Sequence, residues 1–352
     1  MYKGKDISIG GQMIGPGHPT FIIAEAGVNH NGNLGTAIEL VKEAKRCNAD
    51  CVKFQTFKAD QVAVSNAPKA SYQLKTTDPN ESQVEMLKNL ELPSEGYRKL
   101  IQFSKEQGII LISTPYNEDD IDFLDELGIQ AFKLASMHAV EPNIIKHVAK
   151  KGKPLILSTG MATLSELEEA VNTFREVGNN QLVLLQCTTN YPSRLEDANL
   201  LAMETMRDAF DIMVGYSDHT QNDTACIASV ALGATVIEKH FTLDKKLSGP
   251  DQSTSYEPEE FSRLVEGIRN AEKVLGSASK EPCEVEKINA LGMRRSIVSN
   301  KDISAGTKIV KTMLAFKRPA TGLSPKFYDY VVGKKTKKEI LADSQIKLSD
   351  LE

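Results

Sequence analysis

Two hydrophobic periods take turns along the chain from about residue 20. Eight short, mostly apolar runs, each closed by polar or turn residues, stand out: FIIAEAG, CVKFQTF, IILISTP, AFKLAS, PLILSTG, LVLLQCT, IMVGYS and TVIEKHF. Runs of this length and composition predict strands. Between them the period lengthens. Leu34, Ile38, Val41 and Ala44 recur at helical spacing after the first run, and Phe261, Leu264, Val265, Ile268 and Leu275 do so after the last. These predict amphipathic helices. Strands alternating with helices return the chain to the same end each time, so the pairing is parallel. Eight units are the number at which a parallel sheet closes into a barrel filled by its own side chains. An open doubly wound sheet would announce itself with a glycine-rich first turn, and AEAGVNHNGN is not that fingerprint. The expected fold is α/β, a (β/α)8 TIM barrel.

One unit breaks the rhythm. Residues 60–92, after the second run, are too long for a bare loop; they read either as a linker or as a cover for a site. After KVLGSASKEP the alternation stops, and from 294 the chain has short strand signals, tight turns and little helix. The expected organisation is a barrel over residues 1–280 with a short N-terminal extension, a linker over 281–293, and a small second domain over 294–352.

Composition narrows the function classes. The chain has 352 residues, 41% hydrophobic and 25% charged, with a formal net charge of −5. Such a chain builds a sizeable core without staples and offers no basic face for nucleic acid. Five scattered cysteines, Cys47, Cys51, Cys187, Cys226 and Cys283, fit reduced thiols rather than a disulfide framework or zinc site. The N-terminal residues lack an apolar signal stretch and no run reaches membrane-spanning length, so a cytoplasmic protein without membrane partners is expected.

In such a barrel the chemistry sits at the C-terminal strand ends. Those ends carry Glu25, Asn29 and His30; Lys53 and Gln55; Ser113 and Thr114; Lys133 and Ser136; Ser158 and Thr159; Thr188 and Tyr191; Ser217 and His219; Glu238 and His240. Lysines within apolar strands are costly as packing residues. Lys53 and Lys133, with hydroxyls around them, therefore read as a cradle for phosphate or carboxylate, against rim lysines pointing to water. His219 and His240 end consecutive strands, and neighbouring imidazoles at an open face suggest a divalent metal completed by water or substrate. Glu25 reads as a further ligand or a general base.

Taken together, IIAEAGVNHNG, DCVKFQTF, ISTPY, FKLAS, LILSTGM, QCTTNYP, GYSDHT and EKHFTLDKKLSGPDQS resemble the sialic acid synthase family, and GTKI and FKRPATG resemble its fused antifreeze-like, β-clip-type domain. The resemblance implies a C–C bond-forming transferase that condenses phosphoenolpyruvate with an N-acylated amino sugar, N-acetylmannosamine or a 2,4-diacetamido-6-deoxy hexose, giving a nine-carbon 2-keto acid and phosphate. It implies Mn²⁺ or Mg²⁺ on His219 and His240. It places phosphoenolpyruvate on Lys53, Thr114, Lys133, Ser136, Ser158 and Ser217. Glu25 and Gln55 would lie at the reacting centre, Tyr191 in the pocket wall, and Asp251 on a sugar hydroxyl. Arg318 would reach the N-acyl group in the partner of a domain-swapped homodimer. Three departures bear on the sugar: His138 stands where the family carries an acidic residue, Thr189 where Asn is common, and Gln252 where many members have His. His138 is counted among the catalytic candidates on that ground. Two other readings remain: a Schiff-base aldolase using Lys53, Lys133 or Lys239 on pyruvate, and a non-catalytic carbohydrate-binding protein.

Overall fold

The computed structural model describes residues 4–70 and 73–352; residues 1–3 of the expected extension and 71–72 of the insertion lie outside that set. The chain divides into two compact units, Met1–Gly276 and Ser277–Glu352.

The first unit opens with an antiparallel hairpin, β1 (Ile7–Ile9) and β2 (Gln12–Ile14). Eight parallel strands follow: β3 (Phe21–Gly27), β4 (Cys51–Thr56), β5 (Ile110–Pro115), β6 (Phe132–Leu134), β7 (Leu155–Ser158), β8 (Leu182–Cys187), β9 (Met213–Asp218) and β10 (Val236–His240). They pair in chain order, and β10 closes on β3, so the barrel is complete. Seven of the eight fall within one of the apolar runs, and β9 extends one residue past its run, to Asp218. The open doubly wound sheet is excluded.

Alternation along each strand sorts the side chains. Inward positions at the strand starts, Phe21, Ile23, Cys51, Ile112, Ala131, Ile156, Val183, Leu185, Met213 and Val236, form one apolar cluster with Ile7, Ile9 and Ile14 of the hairpin. The hairpin thus plugs the N-terminal end of the barrel. Outward positions pack in a second core against the helices. Helix α1 (Leu34–Arg46) starts where the Asn33 side chain accepts the Thr36 amide at 3.0 Å, satisfying one of the free first-turn donors. Its buried face is Ala37, Leu40, Val41 and Ala44, while Leu34 and Ile38 flank it half-buried. The expected stripe was therefore rotated by part of a turn.

The insertion is built rather than slack. It holds α2 (Ala59–Val62), α3 (Gln73–Thr76) and α4 (Gln83–Leu90), the last with a Ser82–Glu85 capping box. The buried Lys69 ammonium donates to Thr77 Oγ1 (3.0 Å), the Asp78 carbonyl (2.6 Å) and Glu81 Oε1 (2.8 Å), tying the segment to itself. Met86 and Leu90 of α4 pack with Val28 and Phe57 in a small cluster of their own.

The remaining barrel helices are α5 (Ser94–Gln107), α6 (Glu118–Glu126), α7 (Pro142–Lys150), α8 (Leu164–Arg175), α9 (Ala202–Phe210), α10 (Thr224–Ala231) and α11 (Pro258–Leu275). In α11, Phe261, Leu264, Val265 and Ile268 are buried as expected, but Leu275 is 52% exposed where the helix ends. Among the described residues no helix is long and apolar enough to cross a membrane.

In the second unit, most of the segment expected as a linker is helix α12 (Glu284–Met293), none of whose side chains is buried. Strands β11 (Ser296–Ser299) and β12 (Leu314–Lys317) pair antiparallel, and Ile297, Ile303, Ile309, Val331, Ile340 and Ile346 form the core of the unit.

Gly215 of β9 marks how tightly the barrel is filled. A Cβ there would run into the Val236 carbonyl oxygen and lie 2.7 Å from Leu185 Cδ2. Gly215→Ala is expected to destabilise the protein by about 2 kcal/mol or more, read as a lower urea midpoint at unchanged slope; an unaltered midpoint would mean the wall yields.

Candidate active site

Above the apolar layers the inward positions turn polar. Glu25, Lys53, Lys133 and Glu238 point into one cavity from β3, β4, β6 and β10, each at most 5% exposed. Lys53 Nζ lies 2.8 Å from Glu25 Oε2 and donates to Thr114 Oγ1 at 3.0 Å. Lys133 Nζ donates to Ser158 Oγ at 2.7 Å and to the Leu134 carbonyl at 3.1 Å. Glu238 stands between the lysines, 4.0 Å from Lys53 and 3.6 Å from Lys133, and accepts from Ser217 Oγ at 3.0 Å. Two ammonium groups and two carboxylates thus share one desolvated chamber, and burial of any one alone would be prohibitive.

The chamber sets their protonation. Burial pushes Glu25 up, against the pull of Lys53. It also works against Lys53, but Glu238 and Glu25 outweigh it and the ammonium is held above its usual range. Lys133 goes the other way: burial lowers it, and Glu238 offsets only part of that. Glu238 is kept below the ordinary carboxylate range, because Lys133 and Lys53 overcome its own burial. Gln55 links the chamber to its wall. Its amide donates to Glu25 Oε1 at 3.0 Å and its carbonyl accepts from the Tyr116 hydroxyl at 3.0 Å.

Beside the charges lie the two imidazoles, with ring centroids 5.3 Å apart. His219 Nδ1 donates to the Thr188 carbonyl at 2.7 Å, and although burial works against it, Cys187 holds the imidazole above its ordinary range. With Nδ1 so engaged, Nε2 is the nitrogen that would turn to a cation on losing its proton. The Tyr191 ring lies 4.1 Å from His219 and edge-on to His240 at 5.6 Å. His240 is held well below its ordinary value, by burial first and by His219 next, so it is neutral. Its buried Nδ1 has no hydrogen-bond partner. Among the described residues no three His, Cys, Asp or Glu side chains are placed to hold a metal ion. A cation here would rest on two imidazoles and fill its shell with water or ligand oxygens, a donor set the unpartnered His240 nitrogen fits.

Twelve of the fourteen residues singled out from the sequence line this single cavity: Glu25, Lys53, Gln55, Thr114, Lys133, Ser136, Ser158, Tyr191, Ser217, His219, His240 and Asp251. Two do not. His138 is fully buried outside it, edge-on to the Tyr116 ring at 5.8 Å, with neither ring nitrogen hydrogen-bonded. It does not face the cavity, so its assignment as a catalytic group is corrected. Arg318 belongs to the second unit, exposed just beyond β12. Three strand-end residues also turn away. Asn29 donates to the Phe241 carbonyl and Ser255 Oγ, both at 2.9 Å, and His30 Nδ1 accepts the Gly32 amide at 3.0 Å. Lys239 faces outward to Asp218 at 2.6 Å. Gln252 is buried too, its amide donating to the Asn29 carbonyl at 2.9 Å. What sequence reasoning missed is the wall: Tyr116, Cys187, and Gln73, Met86, Leu87 and Leu90 of the insertion. The insertion therefore covers the site.

Asp251, at the cavity edge, is pushed up to about 6 by burial and then by Glu25. In the unfolded chain it titrates near 3.8. Below that pH it is protonated in both states and contributes nothing. Between 3.8 and about 6 the unfolded chain ionises it while the folded protein keeps it protonated, so stability falls across that window and the loss is complete above about 6. In chelator, Asp251→Asn should therefore gain stability over the wild type between pH 4 and 7, by up to about 3 kcal/mol. A urea-midpoint difference that stays flat over that range would exclude it.

Residues 40–280 match the model of the NeuB family and residues 294–352 that of the SAF domain. The chain is 44% identical to N,N'-diacetyllegionaminic acid synthase of Campylobacter jejuni over 93% of its length and 99% of the relative's. It is 45% identical to the protein of that name from Legionella pneumophila, over 93% of both chains. Its fold is similar to the crystal structure of N-acetylneuraminic acid (sialic acid) synthetase from Leptospira borgpetersenii, determined with citrate, with a TM-score of 0.72 and 32% identity over 81% of this chain and 95% of that one. With the eightfold barrel, the converging site and these likenesses in place, the chain belongs to the NeuB family of sialic acid synthases and carries a C-terminal SAF, or antifreeze-like, domain.

Proposed function

We propose that this chain condenses phosphoenolpyruvate with the open-chain aldehyde of an N-acylated amino sugar, N-acetylmannosamine or a 2,4-diacetamido-6-deoxy hexose, to a nine-carbon 2-keto acid and phosphate. The observation that carries the reading is the convergence of Lys53, Lys133, Glu25, His219 and His240 on one buried cavity. In the reaction C3 of phosphoenolpyruvate forms a bond to the aldehyde carbon, whose oxygen takes up a proton. Water adds at C2, and phosphate leaves as the C2–O bond breaks.

The residues divide that work by chemistry. Lys53 and Lys133, with Thr114, Ser136, Ser158 and Ser217 around them, hold the anionic groups and stabilise the charged intermediate from fixed positions. Glu25, buried and oriented by Gln55 and Lys53, receives the proton of the attacking water. Asp251 accepts a sugar hydroxyl, and Tyr191 forms the wall beside it. Charge balance supports a divalent cation, Mn²⁺ or Mg²⁺, on His219 and His240. The two lysines are already neutralised by Glu25 and Glu238, so a ligand carrying several negative charges needs a further positive one. Once bound, such an ion supplies Lewis-acid polarisation of the aldehyde oxygen. A Schiff-base aldolase draws on Lys133 alone, the lysine that burial lowers, since Lys239 faces away.

The reading includes a domain-swapped homodimer. Both units display apolar side chains that a partner would cover. Met137, Val140, Met161, Leu164 and Leu201 are exposed beyond the ends of β6, β7 and β8, and Val285, Ile288, Leu291 and Met293 are exposed on α12. In that assembly Arg318 would reach the N-acyl group bound by the partner. A cytoplasmic location accords with the reduced cysteines.

Phosphate release from phosphoenolpyruvate with Mn²⁺ should depend on an added amino sugar, and a panel of sugars names the acceptor. Glu25→Gln should cut kcat at least about 100-fold while leaving phosphoenolpyruvate affinity intact; sugar-independent release or an unchanged kcat overturns the reading. Sedimentation equilibrium should give twice the chain mass of 38.7 kDa, and a monomer at micromolar concentration excludes the dimer.

A further inference from the structure

Strands β9 and β10 pair Tyr216 with Ile237, Ser217 with Glu238 inside the barrel, and Asp218 with Lys239. Just past the end of β9, the His219 ring lies beside that of His240. Because side chains alternate, the Asp218–Lys239 rung between them points the other way, out of the barrel.

That outward rung is the most elaborately satisfied ion pair among the described residues. Asp218 and Lys239 are each 1% exposed, with Nζ 2.6 Å from Asp218 Oδ2. Lys239 also donates to the Thr220 carbonyl and lies 4.4 Å over the Tyr256 ring. Asp218 accepts the Thr220 amide at 2.8 Å, the Tyr216 hydroxyl at 3.1 Å, the Thr220 hydroxyl at 3.2 Å and the Cys226 thiol at 3.2 Å. Tyr256 is itself anchored. Its amide donates to the His240 carbonyl at 2.8 Å, its carbonyl accepts the Thr242 amide at 2.9 Å, and its hydroxyl donates to Asp223 Oδ1 at 2.8 Å. Three of these contacts end on the backbone at or beside the two imidazoles: the Thr220 amide on Asp218, Lys239 on the Thr220 carbonyl, and the Tyr256 amide on the His240 carbonyl.

We infer that the Asp218–Lys239 pair positions His219 and His240, setting the separation and orientation of the two rings from the far side of the sheet. Well-packed apolar residues would hold the strands together as firmly, since a buried ion pair adds little net stability. What the pair adds is direction. A slip of one residue would bring Lys239 into the cavity and turn His240 out of it, and an apolar contact does not oppose such a slip, whereas a charge pair with a fixed hydrogen-bond set does. His219 is held from the inside only at Nδ1, by the Thr188 carbonyl, and His240 has no hydrogen bond at Nδ1. Their placement therefore comes from the backbone, which this pair holds together with the β3 register at His240 and the Ser193 amide on the His219 carbonyl.

The inference rests on the proposed metal reading for one readout and stands apart from it for another. The single variants leave an unpaired buried charge and are prone to unfold, so the test uses the double variant D218N/K239M. Circular dichroism establishes that it folds. Its affinity for Mn²⁺ alone, measured by the free-ion electron paramagnetic resonance signal, should fall about 10-fold or more. Affinity for phosphoenolpyruvate in chelator, measured by calorimetry, should stay within about twofold, because its charged anchors Lys53 and Lys133 sit on other strands and only the neutral Ser217 adjoins the altered pair; this split separates positioning from a general loss of structure. Carbethoxylation of His219 and His240, mapped by mass spectrometry against the exposed His18, should accelerate several-fold as the rings lose their fixed setting. Unchanged Mn²⁺ affinity with unchanged imidazole reactivity overturns the inference, as does an equal loss of Mn²⁺ and phosphoenolpyruvate binding. Should the wild type itself bind no Mn²⁺, the metal reading falls, and the carbethoxylation rates alone decide the positioning role.

Discussion

Four charges shut inside a closed barrel govern this molecule. A carboxylate or ammonium taken out of water costs several kcal/mol even after the protein relaxes, and Glu25, Lys53, Lys133 and Glu238 are nearly inaccessible. They coexist only because each meets its opposite within 4.0 Å. The set is therefore poised rather than merely stable. On the proposed function, an incoming anion would have to take the lysines from their carboxylates, and a cation beside His219 and His240 would offset that exchange. The apolar layers beneath, sealed by the β1–β2 hairpin, keep water from doing the same job at random.

The same alternation that buries the charges makes the outer face of β9 and β10 equally consequential. Ser217 and His219 face the cavity while Asp218 between them faces the helices, and Glu238, Lys239 and His240 repeat the pattern one strand over. A tripeptide such as Ser217–His219 is thus two structures at once, a ligand-facing pair and a strut.

Much of this was legible in the sequence because it depends on counting. Eight apolar runs gave eight strands, and the polar residues at their ends fell into one cavity because closure leaves the inward positions of the last layer nowhere else to go. The failures follow from places where the count lapses. His138 was singled out because it stands where the family carries an acidic residue, two positions after Ser136. After β6, however, the chain enters a 3-10 turn over Ser136–Val140; at about three residues per turn, a residue two further on points elsewhere, and His138 ends beneath Tyr116. Lys239 was grouped with Lys53 and Lys133 although it sits one position out of phase with Glu238 and His240. In α1 the stripe held at Val41 and Ala44, with Leu34 and Ile38 packed at its edge, but Ala37 and Leu40 at its centre were left out. The insertion was read as a linker or a cover, and its place after β4 sets it at the C-terminal end of the barrel, but nothing local told which of its residues, Met86 and Leu90 among them, would face the cavity.

That wall gives the cavity two unlike sides. Its floor is the charged chamber, and its insertion side is lined by Val28, Met86, Leu87 and Leu90. Apolar side chains beside desolvated charges strengthen every electrostatic contact by excluding water, yet they offer no hydrogen bond to a hydroxyl. A ligand that fills both sides gains most if its anionic groups lie against Lys53 and Lys133 while carbon-bound hydrogens, rather than hydroxyls, meet α4. Polyhydroxylated sugars satisfy the second condition poorly, and acylated or deoxygenated ones satisfy it well. On the proposed function, the apolar part of the insertion would favour acceptors that need few hydrogen bonds there, with Gln73 as its one polar lining residue among the described residues, while the barrel floor would hold the anion.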